Sequence, residues 1–164
     1  MKKTKRLVTL SVVVSLAMIL SFIESRLPTF VPIPGIKVGL ANIAVVFALY
    51  NLGKWDAFVI SIIRVILVSV LFGNTVSLWY SLAGAALSLL LMILLKQLTP
   101  LSPVTVSTVG GIAHNVAQIG VACILLETNI IGYYLPFLLI SGTVAGIAVG
   151  TAGALLVKRV NIKW

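Results

Sequence analysis

The chain has 164 residues, 60% of them hydrophobic and only 9% charged, with a mean hydropathy of +1.21. Ordinary soluble domains carry about 25% charged residues, so this composition excludes a soluble globular domain and points to a polytopic membrane protein. The formal net charge of +9 does not point to nucleic acid, because the basic residues gather at the ends of apolar stretches as a topology signal does.

Met1-Lys-Lys-Thr-Lys-Arg6 leads into the first apolar stretch, residues 7–23. The opening has the look of a signal peptide. Its apolar run is longer than the usual ~7–15 residues, however, and no small-residue cleavage site precedes Glu24, so an uncleaved first helix is expected. Along it Ser11 and Ser15 stand four apart, as do Ala17 and Ser21. Small residues at that spacing let membrane helices approach closely, within the bundle or against a partner membrane protein.

Residues 26–37 form the first connection and hold three of the six prolines. Proline fixes φ and biases its predecessor toward extended backbone, so this loop should be stiff. Two readings fit it: a rigid connector, or a lid over an outward-facing cavity built with Phe30, Pro32, Pro34 and Lys37. Pro34-Gly35 reads as the turn into the second stretch, 38–52, which carries Asn42.

The remaining stretches are 57–72, 78–95, 104–126 and 133–157. Gly53-Lys-Trp-Asp56 is a tight inner turn with Trp55 at an interfacial position. Phe72-Gly-Asn-Thr-Val76 is a tight outer turn containing Asn74. Pro100 and Pro103 separate the fourth stretch from the fifth, and 127–132 forms the last outer loop. The last stretch holds Gly142, Gly146, Gly150 and Gly153, a small-residue ridge for close packing inside the bundle.

A crossing needs ~17–25 residues, and six of them consume most of the chain. With the N-terminus inside, the inner ends carry Lys2, Lys3, Lys5, Arg6, Lys54, Lys96, Lys158, Arg159 and Lys163, against only Arg26 and Lys37 outside. The expected architecture is therefore all-α: a polytopic membrane protein with six transmembrane helices in one compact bundle, 1–164 as a single membrane domain. Both termini would be cytoplasmic, in the inner (cytoplasmic) membrane of the cell. The single cysteine, Cys123, is intramembrane, and one histidine with one cysteine makes a poor metal site. No metal, cofactor or nucleic-acid partner is expected.

Arg64 lies in the middle of the third stretch. An arginine at that depth costs at least ~2.5–3.5 kcal/mol on insertion scales and needs compensation. The fifth stretch carries His114, Asn115 and Gln118, which share one broad helical face through their i,i+3 and i,i+4 spacings. Gly110 and Gly111 lie about one turn earlier, leaving room for a ligand or a neighbouring backbone. Counted at ~1.5 Å per residue, Arg64 and His114 both fall near mid-depth. Asn42 and Asn74 would extend a shared cavity outward. The three acids, Glu24, Asp56 and Glu127, all fall near helix ends. Arg64 is then either bonded to helix carbonyls and amide side chains or kept for an anionic or strongly polar ligand, to which its planar fork is suited.

Glu24-Ser-x-Leu-Pro-x-Phe-Val-Pro-Ile-Pro-Gly-Ile-Lys-Val-Gly-Leu-Ala-Asn-Ile43, Arg64 with Leu71-Phe-Gly-Asn74, Ser81-Leu-Ala-Gly84 and Ala113-His-Asn-Val-Ala-Gln118 together resemble the Gx transporter family. That family also goes by the name heptaprenyl diphosphate synthase component I. It is in turn similar to the substrate-binding S components of energy-coupling-factor (ECF) transporters, six-helix proteins that capture a solute outside and dock on a transmembrane subunit with two ATPases. The resemblance implies a gating role for the 26–37 loop and a docking role for Ser11 and Ser15, where serines replace the family's alanines. The prenyl-synthase name fits the residues poorly, since such catalysis needs two acidic metal-binding clusters.

The expected function is thus a non-enzymatic substrate-binding membrane subunit for a small anionic or polar-aromatic solute, dependent on partner subunits for energy. Arg64, His114, Asn115 and Gln118 would contact the solute, with Asn42 and Asn74 nearby. Two alternatives stand beside it. One is an accessory membrane subunit of a redox or quinone-linked complex. The other is a non-catalytic membrane component of polyprenyl diphosphate synthesis.

Overall fold

The structure is a computed structural model that describes residues 2–26, 39–73, 75–125 and 127–160. Among the described residues it is all-helical: α1 (Lys2–Arg26), α2 (Asn42–Asn51), α3 (Lys54–Phe72), α4 (Thr75–Leu98), α5 (Pro103–Leu125) and α6 (Leu135–Arg159), with a 3₁₀ turn at Ile130–Tyr134 before α6. Five of these are long and apolar enough to cross a membrane. Only helices and closed barrels satisfy their own backbone in lipid, and a helical bundle with apolar flanks meets that condition. The outward side chains, among them Val70, Trp79, Ile140 and Val144, are large and apolar, as a lipid-facing surface requires.

The exception is α2. The sequence predicts a stretch over 38–52, yet the helix has only 10 residues, about 15 Å of rise against a ~30 Å hydrocarbon core. Glycines bound it. Gly39 and Gly53 take φ of 77° and 121°, conformations open to glycine at little cost, and they turn the chain into and out of the helix. Residues Ala44, Val45, Val46, Phe47, Ala48 and Leu49 are buried in succession, so this helix has no lipid-facing side. It packs on α1, α3, α5 and α6 and forms the centre of the core.

The other boundaries follow local chemistry. Pro103 starts α5 after Ser102, whose Oγ accepts the Thr105 N–H at 3.2 Å, and Pro136 falls in the first turn of α6; proline suits both places, where its missing N–H is no loss. Between α5 and α6 the contact is glycine-mediated. A Cβ on Gly111 would stand 2.5 Å from the Gly142 carbonyl oxygen, and one on Gly146 would stand 2.6 Å from the Thr108 Cα. The small-residue ridge of the last helix therefore packs inside the bundle, as its spacing predicts.

One end of the bundle gathers α1's start, α2's end, α3's start, α4's end, α5's start and α6's end. Arg6 Nε donates to Asp56 Oδ1 at 3.2 Å, Lys96 Nζ to the Leu49 carbonyl at 2.6 Å, and Tyr50 Oη to the Leu101 carbonyl at 3.4 Å. Asn51 reaches the Val160 carbonyl. Asp56 is 4% exposed and sits in the first turn of α3, where a carboxylate also meets the positive end of the helix dipole. At the opposite end the Phe22 and Phe72 rings lie 5.6 Å apart.

Candidate functional site

Between the helices lies a polar cavity of about 100 Å³. On α5 its wall consists of Ser107, Gly110, Gly111, His114, Asn115 and Gln118, positions that recur every three or four residues and so line one face of the helix for ~16 Å. Arg64, Val65, Val68 and Ser69 contribute from α3, and Gly142, Ala145, Gly146 and Val149 from α6. Ser81, Ser88 and Met92 come from α4, Val46 and Asn42 from α2, and Ser21 and Glu24 from α1. All six helices thus supply a side to one polar space within an otherwise apolar bundle.

Arg64 is half-buried, and its Nη2 donates to Asn42 Oδ1 at 3.0 Å. Its Nε is buried and has no hydrogen-bond partner among the described residues. A buried donor left unsatisfied costs ~1–3 kcal/mol. The bond to the Asn42 amide belongs to the first of the two fates open to Arg64, and the place of Arg64 on the cavity wall is compatible with the second, contact with an anionic or polar ligand.

His114 and Gln118 owe their position to Gly84 on α4. A Cβ there would stand 2.8 Å from His114 Cε1, 2.9 Å from His114 Nδ1 and 3.0 Å from Gln118 Cγ. The glycine lets α4 approach until the imidazole lies flush against it. Asn115 is placed differently: its Nδ2 donates to the Leu138 carbonyl at 2.7 Å, so part of this side chain stitches α5 to α6. The two neighbouring glycines also differ. Gly111 admits the backbone of α6, whereas Gly110 lies against Met92 and Ser88 of α4.

Arg64, Asn42, His114, Asn115 and Gln118 are therefore brought together at one cavity. Asn74, and Phe30, Pro32, Pro34 and Lys37 of the first connection, lie outside the described residues. Ser11 and Ser15 are exposed on the outer face of α1, whereas Ala17 and Ser21, the other small pair, face the core.

Sequence reasoning missed two kinds of lining residue. The first is Glu24, which its position near the end of α1 removed from consideration as a partner for Arg64. It lines the same cavity as Arg64 and accepts the Gly39 N–H. The Glu24-to-Asn42 segment, which carries the resemblance and contains both residues, was the available signal. The second is the set of serines, Ser21, Ser69, Ser81, Ser88 and Ser107, spread over four helices, of which only Ser81 and Ser88, seven apart on α4, share a helical spacing.

The space suits a compact polar occupant. It is several times the ~10–15 Å³ that one water needs and smaller than the ~300–1,000 Å³ of pockets for drug-sized ligands. Its wall offers donors and acceptors that could orient such an occupant, with Arg64 and Glu24 as the opposite charges. Among the described residues no three His, Cys, Asp or Glu side chains gather in one place, and Asp56 is engaged by Arg6 at the far end of α3.

No curated protein and no solved structure matches the chain. A protein-family model does, over residues 13–156, which include every described wall of the cavity. The chain belongs to the heptaprenyl diphosphate synthase component I family.

Proposed function

We propose that this protein is a solute-binding membrane subunit, akin to the S components of energy-coupling-factor transporters, that captures a small anionic or polar solute and depends on partner subunits for energy. The observation that carries the reading is Arg64: a guanidinium at the wall of a polar cavity whose buried Nε has no hydrogen-bond partner among the described residues. Retaining such a group within a membrane bundle is costly, and ionisable residues kept there mark binding sites or pathways. The fork of Arg64 would take the solute's charged group, and His114 and Gln118 would hydrogen-bond its body.

The finer topology belongs to the same proposal: six crossings in the cytoplasmic membrane, α2 completing the second, with both termini in the cytoplasm. The clustering of Arg6, Lys54, Lys96 and Arg159 at helix ends that meet on one face supports it, because basic residues favour the cytoplasmic side. The protein carries no nucleotide-hydrolysing motif, so uptake against a gradient would fall to ATPase-bearing partners.

Mass spectrometry of small molecules retained by the protein, purified from its native membrane, tests the reading. A polar solute enriched in the wild type and lost in Arg64→Ala and His114→Ala is the expected result. Equal retention of every solute by all three proteins would remove these residues from the site.

The family description favours a second reading, a membrane component associated with polyprenyl diphosphate synthesis. Three acids in the whole chain weigh against a catalytic part in that chemistry, which needs paired acidic clusters. Prenyl transfer by the purified protein, alone or with a co-purified subunit, would favour this second reading over transport.

A further inference from the structure

The cavity holds two opposite charges that do not touch. Glu24 reaches it from α1 and Arg64 from α3, and the ion pair found among the described residues is a different one, Arg6–Asp56. The short turn entering α2 stands between them. Glu24 accepts the N–H of Gly39, Arg64 donates to Asn42 Oδ1 at 3.0 Å, and the Asn42 N–H closes the turn on the Gly39 carbonyl at 2.8 Å. Each charge is tied to one end of the same four-residue turn. The turn has little room to change: Gly39 takes a φ of 77°, and a Cβ added there would lie 3.0 Å from Asn42 Nδ2.

Opposite charges in a low-dielectric interior attract strongly, and direct contact is their ordinary arrangement. Held apart on the wall of a polar cavity, they form a fixed positive pole and a fixed negative pole. We propose that the site takes a compact zwitterion, whose anionic group meets Arg64 and whose cationic nitrogen meets Glu24. This inference rests on the solute-binding reading and narrows it. A bare anion would gain Arg64 but be repelled by Glu24, and a bare cation would meet the reverse. A solute with both ends gains from both, through charge-assisted hydrogen bonds. The planar guanidinium suits a carboxylate, and a volume of about 100 Å³ keeps the solute small.

The test uses the full chain in lipid nanodiscs, read by thermal stabilisation and equilibrium dialysis. Three pools are compared: zwitterions (small α-amino acids and glycine betaine), anions (acetate, propionate and lactate) and cations (ethylamine and ethanolamine). Stabilisation by a member of the zwitterion pool is expected, with affinity falling about tenfold or more when either charge is deleted from that solute. Glu24→Gln should weaken the zwitterion and strengthen the matching anion, and Arg64→Gln should weaken both. Binding confined to the anion pool, or zwitterion binding unchanged in Glu24→Gln, would overturn the zwitterion and leave the solute-binding reading standing. Silence from the zwitterion pool also overturns it, and the retained-solute experiment then judges the broader reading separately. Should Glu24→Gln fail to fold, the charge-deleted solutes on the wild-type protein still decide the matter.

Discussion

Arg64 Nη2 and Asn42 Oδ1 meet at 3.0 Å across the α2–α3 interface, so the buried cation of one helix is held by the first residue of another. Asn42→Ala removes the acceptor that Arg64 Nη2 has among the described residues, an expected cost of ~1–3 kcal/mol. Asn42→Asp acts in the opposite sense. It offers Arg64 a permanent carboxylate, so stability should be kept while the retained solute is lost. Thermal unfolding in nanodiscs, paired with mass spectrometry of bound solute, separates the two. Lower stability in Asn42→Asp than in Asn42→Ala would show that the contact is not electrostatic.

Gly84 sets the imidazole of His114. In Gly84→Ala the new methyl would stand 2.8 Å from His114 Cε1, a distance that forces the ring to move. The clash is with the end of a side chain rather than with backbone, so the fold should survive while binding suffers. The expected result is a near-native unfolding temperature with solute affinity reduced about tenfold, or ~1.4 kcal/mol. Unchanged affinity would remove His114 from the set of solute contacts.

The apolar helices, the break between α4 and α5 and the basic helix ends were legible because each rests on local chemistry: apolar length, prolines at 100 and 103, lysines and arginines at helix termini. The face joining His114, Asn115 and Gln118 was legible from helical period alone. The partner of Arg64 was not. Asn42, which bonds it, and Glu24, which shares its cavity, are 22 and 40 residues away in sequence, and their placement depends on how α1 and α2 sit beside α3, which no spacing encodes. The length of α2 was also hidden. Its apolar pattern runs on past the helix, and only the positive φ of Gly39 shows where the helical backbone is interrupted. Asn115 carries a related lesson, since its amide looks like a ligand contact in sequence and is in part a bond to the Leu138 carbonyl.

Two glycines on α5 make a direct comparison. A Cβ on Gly111 would lie 2.5 Å from the Gly142 carbonyl oxygen, while one on Gly120 would meet nothing within 4 Å. Gly111→Ala must push α5 and α6 apart, with an overpacking cost of ~1–3 kcal/mol. Gly120→Ala should be neutral or stabilising by up to ~1 kcal/mol, because alanine is the better helix former. Unfolding in mixed micelles measures both on one scale. Equal effects at the two positions would contradict glycine-mediated contact between these helices.

The outer face of α1 gives the last prediction. Val13, Ala17 and Ser21 face the core, whereas Ser11 and Ser15 sit among the exposed Leu7, Val8, Val12, Leu16 and Ile19. The helix thus keeps one small-residue pair for its own bundle and presents the other outward, where lipid alone would favour no small residue. A partner helix packing closely at Ser11 and Ser15 would explain the arrangement, since association in lipid depends on close approach. Ser11→Leu with Ser15→Leu should leave stability and solute binding unchanged, because neither side chain touches the cavity. On the proposed transport reading, uptake in cells and recovery of ATPase-bearing subunits with the purified protein should both fall. Uptake at the wild-type level in the double variant would place the docking surface elsewhere on the bundle.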